Sequence, residues 1–331
     1  MDSNVAEAGL PDPLHEEHEH LIQVLTLTQR MLQQLQLTSK FSNTDTTDAL
    51  EAQTADEVAQ EIVNLMRADQ LHALEHVLRD PYFGRLDFLP LEDENPLRLY
   101  IGKRGLEESD SGERLVIDWR APVSSLFYSF SGKGDYASYD TPSGTVEGQV
   151  YLKRNIVVRD GELQRVVDSF VKGQENLGVT DEFLLYRLAE NKDSRLRDIV
   201  STIQAEQDRI IRAERDRAIL IQGVAGSGKT TVALHRLAYI LYQHKEQLRA
   251  DRMAIFAPNA MFVDYISEVL PELGVGGIKQ TTFSDWALEV LEFAVRLRDP
   301  GRRLTRWFAV RQDAETAAHH EAAHFKGSRR L

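Results

Sequence analysis

The sequence lacks cysteine altogether. It therefore has no disulfide framework, no thiolate nucleophile and no cysteine-based zinc site, a pattern typical of proteins in a reducing compartment. It also lacks any apolar run near the roughly 20 residues that a membrane-spanning helix needs. Its amino terminus, MDSNVAEAGLPDPLHEEHEH, is acidic and so unlike a secretory signal. We expect a cytoplasmic protein without a membrane anchor.

Basic residues are scarce at the amino-terminal end of the chain. Residues 1–80 hold 4 Lys and Arg against 15 Asp and Glu, whereas the residues from 296 onward hold 9 against 4. Nucleic acid repels an acidic segment and attracts a basic one. Charge runs are as often merely the solvated faces of helices. By charge, only the carboxyl-terminal end of the chain is therefore compatible with binding to nucleic acid.

Two apolar periodicities between residues 13 and 79 predict two helices. The first has the alternating steps of four and three that form a coiled-coil seam, and its members are Leu14, His18, Leu21, Leu25, Thr28, Leu32 and Leu35. The second runs through Val58, Ile62, Leu65, Leu71, Leu74 and Leu78. Turn-favouring residues separate the two, so we predict an antiparallel coiled-coil arm over residues 1–80. Its tip would carry Asp45, Asp48 and Glu51.

After residue 80 the sequence pattern changes to short apolar runs separated by Gly, Pro and Asp. The runs are YFGRLDF, LRLYIG, RLVIDW, SSLFYSF, DYASYD, TVEGQVYLKRNIVV and ELQRVV. Such runs with turn residues between them are typical of antiparallel strands, so we predict a small β-rich domain over residues 81–176. Aromatic residues in strands can stack on bases, but they more often form the core. We expect a core role for Trp119, Tyr128, Tyr136 and Tyr139.

The stretch GVAGSGKT, residues 223–230, matches the phosphate-loop pattern G-x-x-x-x-G-K-[ST] in full. The apolar RAILIQG before it predicts a buried strand, and the amphipathic TTVALHRLAYILYQHKEQL after it predicts a helix. RMAIFAPN then predicts another strand. Strand, loop, helix and strand in this order predict an α/β P-loop fold with a parallel sheet and a right-handed crossover.

The chemistry of this loop points to ATP and Mg²⁺. Its glycines let backbone N–H groups converge on phosphates, and the following helix adds the positive end of its dipole. We expect Lys229 to contact the β- and γ-phosphates and the Thr230 hydroxyl to bind Mg²⁺, which makes these two the candidate catalytic residues. The other residues predicted to bind the nucleotide are Gly223, Val224, Ala225, Gly226, Ser227, Gly228 and Thr231.

Two glutamines lie upstream of the loop, on a helix predicted over residues 199–212. Gln204 and Gln207 carry amides, which donate and accept hydrogen bonds at once, as the N6 and N7 atoms of adenine require. Alone, two such residues indicate only a polar helix face. Their position ahead of a phosphate loop makes them candidates for base recognition. A further helix is predicted over residues 181–197.

Several ordered stretches carry a family resemblance. AEQ followed by AGSGKTT resembles the Q motif and Walker A motif of superfamily 1 helicases of the UvrD/Rep type. More narrowly, the chain from about residue 81 to 284 is similar to the HelD family, helicase-like ATPases associated with bacterial RNA polymerase. The blocks that carry this similarity are YFGRLDF, YIGKRGL, VIDWRAPVSSLFY, EGQVYLKRN, IVSTIQAEQDRIIR, QGVAGSGKTTVALHRLAYILY, APNAMFVDYISEVLPELG and QTTF.

The resemblance implies a protein that binds core RNA polymerase and, at full length, uses ATP hydrolysis to release or recycle it. It implies that the arm enters the secondary channel of the polymerase with its acidic tip near the catalytic metal. It gives Gln207 the recognition of adenine and makes residues 177–331 part of a RecA-like ATPase domain that ends in a helical insertion. It also implies a surface for single-stranded nucleic acid or for the polymerase at Pro258, Asn259, Thr282 and Phe283.

A Walker B strand, in which apolar residues lead into Asp-Glu, is missing from the sequence after the loop. FVDYISE and FSDWALE place their acids on helical patterns, and FKGSRRL resembles a segment of the family's insertion. We therefore expect a chain that is truncated before Walker B, or a natural short form, with little turnover of its own. Two alternatives stay open, a UvrD/Rep-like helicase acting on single-stranded DNA and a non-catalytic fragment that binds polymerase.

Overall fold

The computed structural model describes residues 13–42, 55–108, 111–174, 199–295 and 318. The chain divides into two compact units, Met1–Leu248 and Arg249–Leu331. Across the described residues, no helix has the length and apolar character needed to cross a bilayer.

The helices are α1 (Pro13–Ser42), α2 (Ala55–Arg79), α3 (Ser125–Ser129), α4 (Ala205–Ile211), α5 (Lys229–Gln243), α6 (Ala260–Glu272) and α7 (Phe283–Val290). The strands are β1 (Gly84–Pro90), β2 (Leu97–Gly102), β3 (Leu106–Glu107), β4 (Arg114–Asp118), β5 (Tyr136–Thr141), β6 (Gly144–Arg159), β7 (Glu162–Val171), β8 (Ala254–Ala257) and β9 (Lys279–Thr282). Single 3₁₀ turns occupy Pro122–Ser124, Val200–Thr202 and Ala250–Arg252.

The two predicted arm helices are present as α1 and α2. Leu21 and Val24, near the start of α1, share a buried cluster with Leu74 and Val77, near the end of α2, so the helices run antiparallel. Side chains of the sheet, among them Ile156, belong to the same cluster. The base of the arm therefore packs on the sheet as well as helix on helix. The predicted tip, with Asp45, Asp48 and Glu51, lies outside the described residues.

The buried face of α1 differs from the predicted seam. Leu21 and Thr28 are buried as predicted, but Leu14 is 52% exposed and His18 is exposed. Glu17 and Val24, which the seam did not include, are fully buried. The prediction assumed one partner helix, but α1 contacts both α2 and the sheet. The buried stripe therefore differs from a two-helix seam and includes the carboxylate of Glu17.

Glu17 forms the centre of a buried ion-pair network between the arm and the sheet. Its Oε1 accepts hydrogen bonds from Arg85 Nη1 at 3.0 Å and from Arg154 Nη1 at 2.8 Å. Arg85 also pairs with Asp87 at 2.7 Å, and Arg154 pairs with Asp168 at 2.5 Å. Charges this deep are tolerated only when each has a partner. The network therefore fixes where α1 meets β1 and β6.

His20 lies beside this network and is also largely buried. Its ring stacks on Tyr100 with a centroid distance of 3.5 Å, and its Nε2 lies 3.1 Å from the carbonyl oxygen of Leu115. Burial lowers the pKa of His20 from 6.5 to about 4, and the nearby positive charges of Arg85 and Arg98 act in the same direction. The folded state therefore holds this imidazole neutral.

The titration of His20 predicts a pH dependence of stability. Because the unfolded chain protonates this histidine near pH 6.5 and the folded chain only near pH 4, stability should rise with pH between these values and level off above 6.5. His20→Phe keeps an aromatic ring against Tyr100 and should flatten that slope. Urea unfolding midpoints at pH 4.5, 5.5, 6.5 and 7.5 check the prediction. His15→Phe, at an exposed position, serves as the control, and an unchanged slope in His20→Phe would contradict the assignment.

The predicted β-rich region forms a seven-stranded sheet in the order β3-β4-β2-β1-β6-β5, with β7 also paired to β6. Its strand pairs are antiparallel except for β2 with β4, which is parallel. One predicted strand is wrong, because SSLFYSF forms the short helix α3, in which three consecutive residues are buried. Periodicity alone does not show whether a short apolar run of this kind forms a helix or a strand.

The aromatic residues of the sheet region lie mainly in its core, as predicted. Trp119 and Tyr128 are 2% and 6% exposed. Tyr139 packs edge-on against Phe88 at a centroid distance of 6.0 Å. Tyr136 is different, because 64% of it is exposed. The core prediction is confirmed for Trp119, Tyr128 and Tyr139 and is wrong for Tyr136.

The buried strand predicted before the phosphate loop is wrong. Residues 217–223 form no strand, and Leu220 and Ile219 are 83% and 39% exposed. A parallel strand is stabilised by neighbouring strands and by layers on both faces, and no described strand pairs with this stretch. The predicted βαβ unit is therefore incomplete, and the P-loop fold is not confirmed, although helix α5 follows the loop as expected.

In the second unit, β8 pairs in parallel with β9. FVDYISE lies within α6 and FSDWALE within α7, so the prediction that both acidic stretches are helical is confirmed. Neither of them is a Walker B strand. The helix predicted over residues 181–197 and the FKGSRRL segment lie outside the described residues.

Candidate nucleotide-binding site

The helix that carries Gln207 is shorter than predicted. The chain makes a 3₁₀ turn at Val200–Thr202, is extended at Gln204 and enters α4 only at Ala205. The Gln204 backbone N–H donates to Gln207 Oε1 at 3.0 Å, which fixes the amide of Gln207 in the first turn. Gln207 Nε2 then lies 3.6 Å from the position that a Cβ on Gly228 would occupy. The structure therefore brings Gln207 to the phosphate loop.

The loop itself requires glycine at several positions. Gly226 and Gly228 have φ angles of 80° and 79°, in the left-handed region that favours glycine. A Cβ on Gly223 would lie 2.6 Å from Ser227 Oγ. The backbone of the loop from Gly223 to Ser227 is exposed, with one internal hydrogen bond, from Ser227 N–H to the Val224 carbonyl at 3.2 Å. The stretch is shaped as an open turn that leads into α5.

Lys229 folds back over this turn. Its Nζ donates to the carbonyl oxygens of Gly223 at 3.0 Å and Val224 at 2.7 Å. The ammonium is thus held against the loop, and the hydroxyl of Thr230 is next along the first turn of α5. An ammonium, a hydroxyl and exposed backbone N–H groups at a helix start are the groups that fit a triphosphate and Mg²⁺. ATP would supply anionic oxygens that hydrogen-bond the ammonium more strongly than neutral carbonyls do.

Arg212, which directly follows α4, connects the site to the sheet. Its guanidinium pairs with Asp208 at 2.7 Å and donates to the carbonyl oxygens of Trp119 at 2.6 Å and Ala121 at 3.1 Å. Burial raises the pKa of Asp208, and the charge of Arg212 opposes that shift. The helix with Gln207 is therefore fixed to the turn after β4.

Helix α5 is fixed to the same turn. Gln243 Nε2 donates to the carbonyl of Arg120 at 2.7 Å, and His235 packs against Trp119 with a ring-centroid distance of 5.6 Å. Arg236 also donates to the Ile210 and Ile211 carbonyls, both at 3.1 Å, at the end of α4. A cation at a helix carboxyl terminus is stabilising. These contacts set the spacing between Gln207 and Lys229.

The sequence patterns did not single out the arginines that align the site. Arg212 and Arg236 occur in ordinary amphipathic stretches, in which a basic residue normally indicates a solvated face. The one available signal was the alternation of arginine with apolar residues in RIIRAERDR, residues 209–217. Nothing in that pattern identifies backbone carbonyls of a turn about 90 residues earlier as the partners.

The four residues predicted to form a partner surface meet at one edge of the second unit. Because β8 and β9 are parallel and Ala257 pairs with Thr282, both strands end at the same edge. Pro258 and Asn259 follow β8, and Phe283 follows β9. Ligand sites of open α/β sheets lie at such carboxyl-terminal edges. The structure therefore places the four residues at the same edge, and their binding role stays a prediction.

Two of these four residues also have structural roles. The Asn259 side chain accepts a hydrogen bond from the Phe262 N–H at 2.9 Å, and the Thr282 hydroxyl accepts one from the Asp285 N–H at 3.1 Å. Both are therefore helix N-caps, which explains their residue types without a ligand. Phe283 is 67% exposed and approaches Trp286 at 5.6 Å between ring centroids.

Comparison with known protein families bears on the amino-terminal half of the chain. A family model described as "DNA helicase IV HelD, N-terminal domain" matches residues 14–182. The chain belongs to the HelD family. The match spans both arm helices and the whole seven-stranded sheet, and it ends before Gln207 and the phosphate loop. No curated protein matched the chain.

Proposed function

We propose that this HelD-family protein binds ATP with Mg²⁺ at residues 223–230 and recognises the adenine base through Gln207. The observation that carries the proposal is the convergence of Gln207 Nε2, Gly228 and the Lys229 ammonium at one exposed loop. Gly223, Val224, Ala225, Gly226, Ser227 and Thr231 complete the proposed phosphate site. Lys229 would neutralise phosphate charge, and Thr230 would hold the metal ion.

Base recognition by Gln207 is testable by nucleotide preference. Gln207→Ala should weaken ATP binding about tenfold, because one or two hydrogen bonds of about 1 kcal/mol each are lost, and it should reduce the preference for ATP over GTP. Competition of ATP and GTP against a fluorescent ATP analogue measures both effects. Gln204→Ala is the matched control, because its backbone N–H still donates to Gln207. A preference that survives Gln207→Ala would contradict the role.

We further propose that the arm engages core RNA polymerase and that ATP hydrolysis, in a chain with a complete catalytic site, drives its release or recycling. Family membership supports the association with polymerase. The buried Glu17 network supports it as well, since it gives the arm a fixed base. We place Asp45, Asp48 and Glu51 at the end that enters the polymerase channel, where carboxylates would act on cations or RNA.

The polymerase proposal is best tested at the arm tip, because deletion of residues 13–79 would also remove Leu21 and Val24 from the core. The triple variant Asp45→Asn, Asp48→Asn and Glu51→Gln should weaken binding to core polymerase at least severalfold in a pull-down or biolayer measurement. A control that neutralises the exposed Glu19 and Glu75 should bind normally. Equal binding by both variants would count against the proposed tip.

A second candidate partner is single-stranded DNA, favoured by the exposed Phe283 at the edge where β8 and β9 end. Stacking of a base on an aromatic side chain contributes about 1–3 kcal/mol. If this surface binds DNA, Phe283→Ala should weaken oligonucleotide binding at least fivefold and leave polymerase binding unchanged. If polymerase binding is lost instead, the surface belongs to the polymerase contact.

A further inference from the structure

A cavity of about 240 Å³ lies in the first unit, between the sheet, α3 and the chain entering α4. Phe127, Phe130 and Phe170 form its apolar walls. Lys153, Asn155 and Ser169 contribute polar groups from β6 and β7. The cavity is separate from the phosphate loop, because none of residues 223–230 lines it.

Lys153 is the charged group of this cavity. Its Nζ donates to the Phe130 carbonyl at 3.0 Å and lies 5.1 Å from the centroid of the Phe127 ring. Burial alone lowers the pKa of Lys153 to about 8, which leaves most of the amine protonated at neutral pH. Among the described residues, no carboxylate forms an ion pair with it and no acidic side chain lines the cavity.

Lys153 is partly buried, and its lack of a carboxylate partner sets it apart from the buried cations of the same sheet. Arg85 and Arg154 each pair with at least two carboxylates, as the cost of desolvating a charge requires. Lys153 receives one neutral carbonyl and a ring face. A partly buried ammonium that faces a cavity without a counter-ion is a binding group for an external anion.

The remaining lining limits what that anion is. The Asn155 amide donates to the Ser169 hydroxyl, and the Gln204 amide donates to the Thr202 carbonyl at 3.1 Å, so one N–H of each amide is already engaged within the protein. The Phe130 and Phe170 rings stand edge to face at 4.9 Å between centroids and present an apolar wall. Drug-sized ligands occupy pockets of about 300–1,000 Å³. This smaller cavity suits a single-ring molecule rather than a nucleotide.

We propose that the cavity binds a small organic anion, with its carboxylate or phosphate on Lys153 and its apolar body among Phe127, Phe130 and Phe170. Benzoate and phenyl phosphate are probes for the two anionic groups, and benzamide is the neutral counterpart of benzoate. Titration into the full 331-residue chain, followed by the NMR signal of the Lys153 amine, should show saturable binding of at least one anion. Benzamide should bind at least tenfold more weakly than benzoate if the carboxylate is the group recognised.

Variants and the amine signal separate this site from a general charge effect. Lys153→Gln should weaken binding of the anion at least tenfold, whereas Lys133→Gln, at an exposed position of the loop beside the cavity, should not change it. In the unaltered protein the bound anion should raise the pKa of the Lys153 amine, which gives a result even if Lys153→Gln fails to fold. The proposal is overturned if binding of neither anion saturates by 10 mM, or if the NMR signal of the Lys153 amine does not change when the anions are added. It is also overturned if benzamide binds as tightly as benzoate and phenyl phosphate does not bind.

Discussion

Glu17→Ala should lower the free energy of unfolding by about 3–5 kcal/mol, because it leaves two buried guanidinium groups without their shared carboxylate. Glu17 is fully buried, and Arg85 and Arg154 are 2% and 4% exposed. Their remaining partners are Asp87 for Arg85, Asp168 for Arg154 and Glu16 for both, which places the expected loss toward the lower end of that range. Urea unfolding at pH 7.5 followed by circular dichroism measures it.

Two further variants define what Glu17 contributes. Glu17→Gln retains a carbonyl oxygen as an acceptor for the arginines and should lose less stability than Glu17→Ala. Glu19→Ala removes an acid from the same helix at a side chain that is 73% exposed, and it should change stability by less than about 0.5 kcal/mol. If Glu17→Ala unfolds at the same urea concentration as Glu19→Ala, the network does not stabilise the contact between arm and sheet.

Lys229→Ala should weaken ATP binding by roughly 10- to 150-fold, the equivalent of losing charged hydrogen bonds of about 1.5–3 kcal/mol. The ammonium already lies against the loop carbonyls, so binding of a phosphate would need little rearrangement of the side chain. Titration of a fluorescent ATP analogue in the presence of Mg²⁺ measures the loss. Lys245→Ala, at an exposed position beyond the end of α5, is the control.

Hydrolysis should respond differently from binding. No apolar strand ending in Asp-Glu follows the loop in this sequence, and the acidic stretches that do follow it lie in helices. We therefore expect the 331-residue polypeptide to release phosphate at about the same very low rate with or without Lys229. A normal helicase rate that Lys229→Ala abolishes would refute this expectation and would require a catalytic acid at another position.

The sequence predicted the elements with strong local signals. The arm helices and most strands of the sheet follow from periods of 3.6 and 2, and helix α5 follows from the position of the glycine loop. The contacts of those elements were less predictable. A glutamate between apolar positions normally indicates a solvated face, but Glu17 is buried because Arg85 and Arg154 on neighbouring strands pair with it, which no local pattern encodes.

The same contrast applies to the candidate site. The pattern G-x-x-x-x-G-K-[ST] names its residues because the chemistry of phosphate binding is local. The strand predicted before it was inferred from apolar composition, but a strand exists only through its pairing partners, and residues 217–223 have none among the described strands. Likewise, the alignment of Gln207 with the loop depends on Arg212 and the turn after β4, a contact that no local pattern encodes.

The turn at residues 118–121 has a wider consequence. Both helices of the candidate site are attached to its backbone carbonyls, and its Trp119 is almost completely buried. If the loop binds ATP as proposed, substitutions that weaken binding should fall in two stretches of the sequence, one at the glycine loop and one about 100 residues before it. A fragment that begins anywhere between those stretches would keep the residues of the loop but lose the turn that holds its two flanking helices in position.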